Sequence, residues 1–153
     1  MRMKEREIKD FNEIVDVLRR TDTVRLGING ELFPYVVPLS FGFEVNDGKI
    51  NIYVHGAKEG FKHELIEKNN HVCIEADIFH GYVKHERGIT TEYESVIGFG
   101  TAKIANDEET VKGLDLLLEH CGYQGYEYDK SILEFLRVYK IELSAITGKR
   151  NVK

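Results

Sequence analysis

The densest chemistry in the sequence lies in His55-Gly56-Ala57-Lys58-Glu59-Gly60-Phe61-Lys62, where two glycines and two lysines separate an alternating apolar run from a helical one. Backbone N–H groups at a helix start carry partial positive charge and nearby lysines add full charge, so the segment suits a phosphate group. It is not a Walker A loop, because Gly56 and Gly60 enclose three residues rather than four and Phe61 follows the second glycine. The same residues also suit a plain strand-to-helix turn with surface lysines. His55 ends the apolar run beside this turn and titrates near neutrality when unperturbed. It is the candidate catalytic group, with hydrogen bonding to a cofactor or substrate as the simpler role.

Other candidates carry less. His63, His71, His80 and His85 are dispersed, with no HExxH pair and no Cys/His cluster, so they read as surface groups and no metal site is expected. Cys73 and Cys121 form no CxxC pair and read as buried thiols. Ser40 and Ser95 lack the GxSxG elbow of a hydrolase, and Gly98-Phe99-Gly100 lacks the third glycine of a dinucleotide fingerprint. Glu92 and Glu94 share one strand face, where solvent is the ordinary surrounding. Tyr123, Tyr126 and Tyr128 read as a packing or contact surface. Lys149 and Arg150 fit two descriptions equally, cations beside a cofactor or a solvated basic terminus.

The elements that would position these groups follow from periodicity. Phe11, Ile14, Val15 and Leu18 form one helical stripe behind an Asp10/Glu13 capping box. Val24, Leu26 and Ile28 alternate up to the Asn29-Gly30 turn. Tyr35 to Glu44 is a curved strand whose Pro38 suits an edge, and Asn46-Asp47-Gly48 leads into Ile50, Ile52 and Val54. Those three strands predict a meander. A short helix over 60–69, with Phe61, Leu65 and Ile66 on one side, precedes strands at 72–76 and 93–105, with a polar surface loop at 79–91 between them. Asp107 is expected to cap a helix that turns Val111, Leu114, Leu117, Leu118 and Cys121 inward and stops at Gly122. A short helix near 129–136 and a strand over 138–143 complete the chain. The expected fold class is α+β: an antiparallel six-stranded split β-barrel of Greek-key type with peripheral helices.

Chain-wide numbers agree. The 153 residues, 42% hydrophobic and 31% charged, suffice for one domain spanning 1–153. A net charge of −5 has the wrong sign for a general nucleic-acid binder. No apolar run approaches the roughly 20 residues of a membrane span, and the first residues lack the apolar stretch of a secretory signal, so a cytoplasmic protein is expected.

Four segments in order, YVVPLSFGFE, YVHGAKEGFK, TTEYESVIGFGTAKI and the final ITGKR, resemble the flavin-binding split-barrel superfamily. More narrowly they are similar to the NimA-like (nitroimidazole-resistance) branch of pyridoxamine 5′-phosphate oxidase-related proteins, from about Lys4 to Arg150. The resemblance implies FMN held at the interface of a homodimer. Val37, Pro38, Leu39 and Ser40 would lie along the flavin ring, and His55, Gly56, Ala57 and Lys62 would surround the phosphate. Tyr93, Glu94, Ser95 and Val96 would come from the partner, and Lys149 or Arg150 would place positive charge by the polar ring edge. Relatives often carry a basic residue directly before the motif lysine, where this chain has Phe61. The implied function is an FMN-dependent oxidoreductase that reduces a small planar acceptor such as a nitroaromatic with electrons from a nicotinamide donor. The rival reading is a non-catalytic flavin or haem binder or sensor. A true pyridoxamine-phosphate oxidase ranks lower, since no second arginine cluster suits another phosphate.

Overall fold

In the computed structural model, which describes residues 3–152, the period-two runs pair into one antiparallel sheet. Its strands are β1 (Glu7–Ile8), β2 (Val24–Ile28), β3 (Tyr35–Leu39), β4 (Phe41–Asn46), β5 (Lys49–Ala57), β6 (His71–His85), β7 (Gly88–Ile104) and β8 (Leu136–Asn151). Hydrogen-bonded neighbours run β3-β2-β6-β7-β8-β5-β4, with β1 added to β8. The edge strands β3 and β4 are consecutive in the chain with only Ser40 between them, so the sheet curls until its edges nearly meet there, within about 7 Å. Covalent continuity, not a ladder of hydrogen bonds, bridges that gap. The result is a split barrel.

The strand count is eight rather than six, because the 35–44 run breaks at Ser40 and Glu7–Ile8 adds a short strand. The predicted meander is also corrected. β2 pairs with β3 and β4 pairs with β5, yet β3 and β4 lie at opposite sheet edges. Pro38 occupies a true edge strand, where its missing N–H breaks no inner ladder.

Alternation sorts the two faces. Leu26 and Ile28 of β2, Ile50, Ile52 and Val54 of β5, Ile74 of β6, Val96 of β7 and Ile141 of β8 fill the barrel core. Helix α1 (Phe11–Arg20) adds Ile14, Val15, Val17 and Leu18, and α2 (Phe61–Lys68) adds Leu65 and Ile66. A smaller cluster of Tyr53, Leu114 and Val138 lies under α3 (Asp107–His120) on the opposite face. There α3 approaches β4 so closely that a Cβ at Gly42 would sit 2.4 Å from the Leu117 nitrogen.

Several local expectations change. Asp10 caps α1 through the Asn12 N–H, but the reciprocal capping box forms at α3, where Asn106, not Asp107, is the cap and Glu109 its partner. The α3 stripe is shallower than predicted: Leu114 is buried, Leu117 and Leu118 are half-buried, and Val111 and Cys121 are exposed. Cys73 is half-buried, so neither free thiol is fully covered. Phe61 is exposed and meets Tyr35 edge-on at 5.2 Å, while His63 takes the inward position on α2.

Segment 79–91 is no loop. β6 and β7 continue through it as a two-stranded arm that turns between His85 and Gly88, with Phe79, Tyr82 and Ile89 exposed on one face. Its polar composition hid a ribbon stabilised by its own backbone ladder. Likewise 146–150 is not a free tail, because β8 runs on to Asn151 between β7 and β1. Among the described residues, no helix is long and apolar enough to cross a membrane.

Candidate functional site

Two of the predicted groups converge where the barrel is split. Phe41 pairs with Val54, so Ser40 arrives level with His55 as the chain passes from β3 to β4. Val37 and Leu39 turn half-buried toward the core, and Pro38 and Ser40 are exposed. Tyr35, at the start of β3, touches Phe61, at the start of α2. The strand thus borders the turn that carries His55, Gly56, Ala57 and Lys62.

Gly56 decides the geometry of that turn. A Cβ there would lie 2.6 Å from the Lys62 Nζ, so the ammonium rests directly over bare backbone. Gly60, with φ of 133°, starts α2 without a side-chain cap, and its carbonyl accepts from His63 and Glu64. Burial lowers the Lys62 pKa. His55 is lowered by burial first and then by Lys62, which favours a neutral imidazole. No carboxylate among the described residues forms an ion pair with Lys58, Lys62 or Arg137.

Behind the turn lies a polar pair that sequence reasoning missed. His63 is buried at 4% exposure and Tyr139 at 1%; their rings stack 5.4 Å apart, and Nδ1 lies 2.8 Å from the phenol oxygen. Burial, above all, lowers the His63 pKa and raises that of Tyr139. Arg137 stands opposite Gly56 in the β5–β8 ladder, and its charge lowers the Tyr139 pKa against the larger effect of burial.

The third predicted group sits elsewhere. In one chain, most of the length of β7 separates Tyr93 from Ile104, which pairs with Tyr139 near the Lys62 turn. Alternation divides its residues. Val96 is fully buried in the core and Glu94 is 5% exposed, whereas Tyr93 and Ser95 lie on the outer face. Ser95 pairs with Lys149, whose Nζ is 5.5 Å from the Tyr93 ring centre, and Arg6 flanks the same phenol. Burial, the largest single effect, raises the Tyr93 pKa, but the two cations together outweigh it and lower the net value.

Glu94 is the largest departure from expectation. Instead of meeting solvent, its carboxylate accepts from Arg20 at 2.7 and 3.0 Å, from the Arg150 Nε at 2.8 Å, and meets the His80 Nε2 at 2.9 Å. The Arg20 hydrogen bond, chiefly, brings its pKa down to about 2. A β-bulge between Phe79 and Gly81 leaves His80 out of the ladder and turns it to this carboxylate. Arg150 is therefore an internal ion-pair partner, whereas Lys149 remains on the outer face.

The profile of the pyridoxamine 5′-phosphate oxidase family matches residues 10–150. The chain belongs to this family. A candidate 5-nitroimidazole antibiotic resistance protein from Bacteroides thetaiotaomicron VPI-5482 shares 31% identity, with a TM-score of 0.83 over 94% of this chain and 85% of that one. The FAD and haem binding protein from Mycobacterium smegmatis shares the fold at 13% identity, with a TM-score of 0.78 over 97% of this chain and 74% of that one. The FAD binding protein from the same organism is 19% identical, with a TM-score of 0.59 over 95% and 96%. No curated protein matches the chain. Similarity to the NimA-like branch is thus shown at the level of sequence and fold.

Within this family member, Arg137, Tyr139 and His63 carried no sequence signal that singled them out. Arg137 and Tyr139 sit at i and i+2 on a strand and His63 directly follows the motif lysine. The β5–β8 register brings Arg137 opposite Gly56, and the hydrogen bond to Tyr139 brings in His63 from α2.

Proposed function

We propose that the protein is an FMN-dependent oxidoreductase, acting as a homodimer on a small planar acceptor of the nitroaromatic class. One observation carries the reading: Lys62 stands over the bare Gly56 backbone with no acidic partner among the described residues, in a corner also bordered by Arg137 and Lys58. Cations are costly to desolvate without a counter-charge, so such a corner is suited to an incoming anion. A phosphate monoester fits this donor set, with the uncapped start of α2 beside it. FMN supplies a phosphate, an apolar ring and a polar edge. When bound, it would supply hydride or single-electron transfer to the acceptor.

The chain's own residues divide the remaining work. Gly56, Ala57 and Lys62 hold the phosphate, and Val37 to Ser40 lay the edge strand along the ring. His55, neutral and half-buried, donates or accepts a hydrogen bond beside them. Tyr93 and Ser95, on β7, and Lys149, paired with Ser95 on β8, are too far along the sheet to serve the same protomer's corner, which favours their delivery by a second copy. Exposed Val36, Ile97 and Phe99 on the outer face give that copy an apolar surface to cover. The nitroimidazole in the name of the Bacteroides relative supports the acceptor class.

The purified protein should show flavin absorption bands and release FMN by mass, or take up added FMN. Lys62→Ala should weaken FMN binding at least tenfold, on the order of one lost charge-assisted contact. Loaded protein should then oxidise a nicotinamide donor in the presence of a nitroimidazole. Failure to bind FMN removes the reading. Binding without turnover leaves a flavin carrier, and a Soret band in place of flavin bands favours the haem binder.

A further inference from the structure

We propose that Arg137 is a second phosphate-binding cation of this corner, and that Tyr139 and His63 are the positioning residues that aim it across Gly56. The inference rests on the phosphate reading of the corner but concerns residues that reading does not include. Directly opposed residues in an antiparallel pair leave the sheet on the same face. Gly56 is opposed by Arg137, so the guanidinium departs on the face where the Lys62 ammonium covers Gly56. Tyr139 follows two positions later on the same face.

The hydrogen-bond directions make this a relay. His63 is buried, faces Lys62 and Arg137, and has Glu67 as the acidic group near it. Burial and the two cations keep the imidazole neutral, against a smaller opposing influence of the Ala57 backbone and Glu67. A neutral ring that carries its proton on Nε2 has Nδ1 free to accept, and in that tautomer the Tyr139 hydroxyl donates to it at 2.8 Å. The phenol oxygen is left as an acceptor turned to Arg137. A guanidinium offers five donors in a rigid fork, so steadying one edge on Tyr139 leaves the others for phosphate oxygens. Lysine supplies a point charge here and arginine supplies orientation.

The test compares FMN, riboflavin and inorganic phosphate as probes of the full-length protein. Riboflavin shares the ring and lacks the phosphate. Arg137→Ala should weaken FMN about tenfold or more while leaving riboflavin within about twofold, as for one lost charge-assisted contact. Arg137→Lys should recover part of the loss. Tyr139→Phe keeps the ring stack and removes the hydroxyl, so it should lower FMN affinity severalfold with riboflavin again unchanged; circular dichroism and the melting temperature show that each variant is folded. Inorganic phosphate should shift the His63 imidazole resonances of the wild type and not those of Arg137→Ala. Equal losses for FMN and riboflavin, or no loss with either, overturn the role. If the wild type binds no flavin yet phosphate still shifts His63 in an Arg137-dependent way, the FMN reading falls and the phosphate seat stands. If phosphate also leaves His63 unmoved, both fall.

Discussion

Replacing Glu94 by glutamine tests the interior charge cluster with almost no change of shape. Its carboxyl falls from an ordinary 4.5 to about 2, and the group is 5% exposed, so solvent screens it little. That difference corresponds to roughly 3 kcal/mol of preference for the ionised form in the folded chain. The Arg20 and Arg150 side chains are more open, at 39% and 33%, which brings a realistic value to about 2 kcal/mol. A folded pKa below the unfolded one stabilises above pH 4.5 and loses that contribution as the pH falls toward 2. Glu94→Gln should therefore unfold about 2 kcal/mol more easily at pH 7, a melting temperature lower by roughly 4–8 °C for a chain of this size. At pH 3 the gap to wild type should shrink by half or more. Urea titrations at both pH values measure it. A loss under 0.5 kcal/mol at pH 7, or one that is constant with pH, would refute the electrostatic account.

Other consequences can be checked alongside. Gly42→Ala should cost at least about 2 kcal/mol in urea unfolding, because the new methyl meets backbone of α3 rather than a side chain that can move. Asn106→Ala removes the 2.8 Å bond from the Glu109 N–H to the Asn106 side chain, leaving the backbone half of the capping box, and should cost about 1 kcal/mol. His63 should titrate below an ordinary imidazole in an NMR pH series, since burial lowers it; its contribution to stability is present above the unfolded value and lost as the pH falls through the folded one. An ordinary or raised value would contradict the neutral ring.

Much of the barrel was legible because its strands alternate cleanly: Val24, Leu26 and Ile28, or Ile50, Ile52 and Val54, point every second side chain into one core. The turn at Gly56 was legible for a related reason, since glycines and lysines at a strand-to-helix junction have few other uses. What stayed hidden depended on register. Nothing local shows that Ser40 marks the meeting of two sheet edges, or that Arg137 stands opposite Gly56. Periodicity also misleads where backbone pairing outweighs composition, as in the β6–β7 arm, whose polar residues looked like loop. Glu94 was misread because alternation tells which face a residue takes and not what arrives there from elsewhere; Arg20 and Arg150 come from a helix and a strand distant in sequence.

The two charged assemblies answer one physical question in opposite ways. At Glu94, cations and carboxylate meet inside the fold, and Arg20 and Arg150 are further paired with Asp16 and Glu13, so the charge is balanced within the chain. At Gly56, Lys62 and Arg137 are brought together on one face with no carboxylate ion-paired to either among the described residues, and desolvation of Lys62 is left unrelieved. A structural role alone gives no reason to leave that corner unbalanced, since the turn already carries Glu59, three residues before Lys62, and it forms no ion pair with Lys62 or Arg137. Balanced charge holds α1 to the sheet and so fixes where Tyr93 and Lys149 emerge; unbalanced charge waits for an anion. Added salt should accordingly separate the two, weakening FMN binding at the half-buried corner well before it lowers the stability that the more deeply buried Glu94 provides.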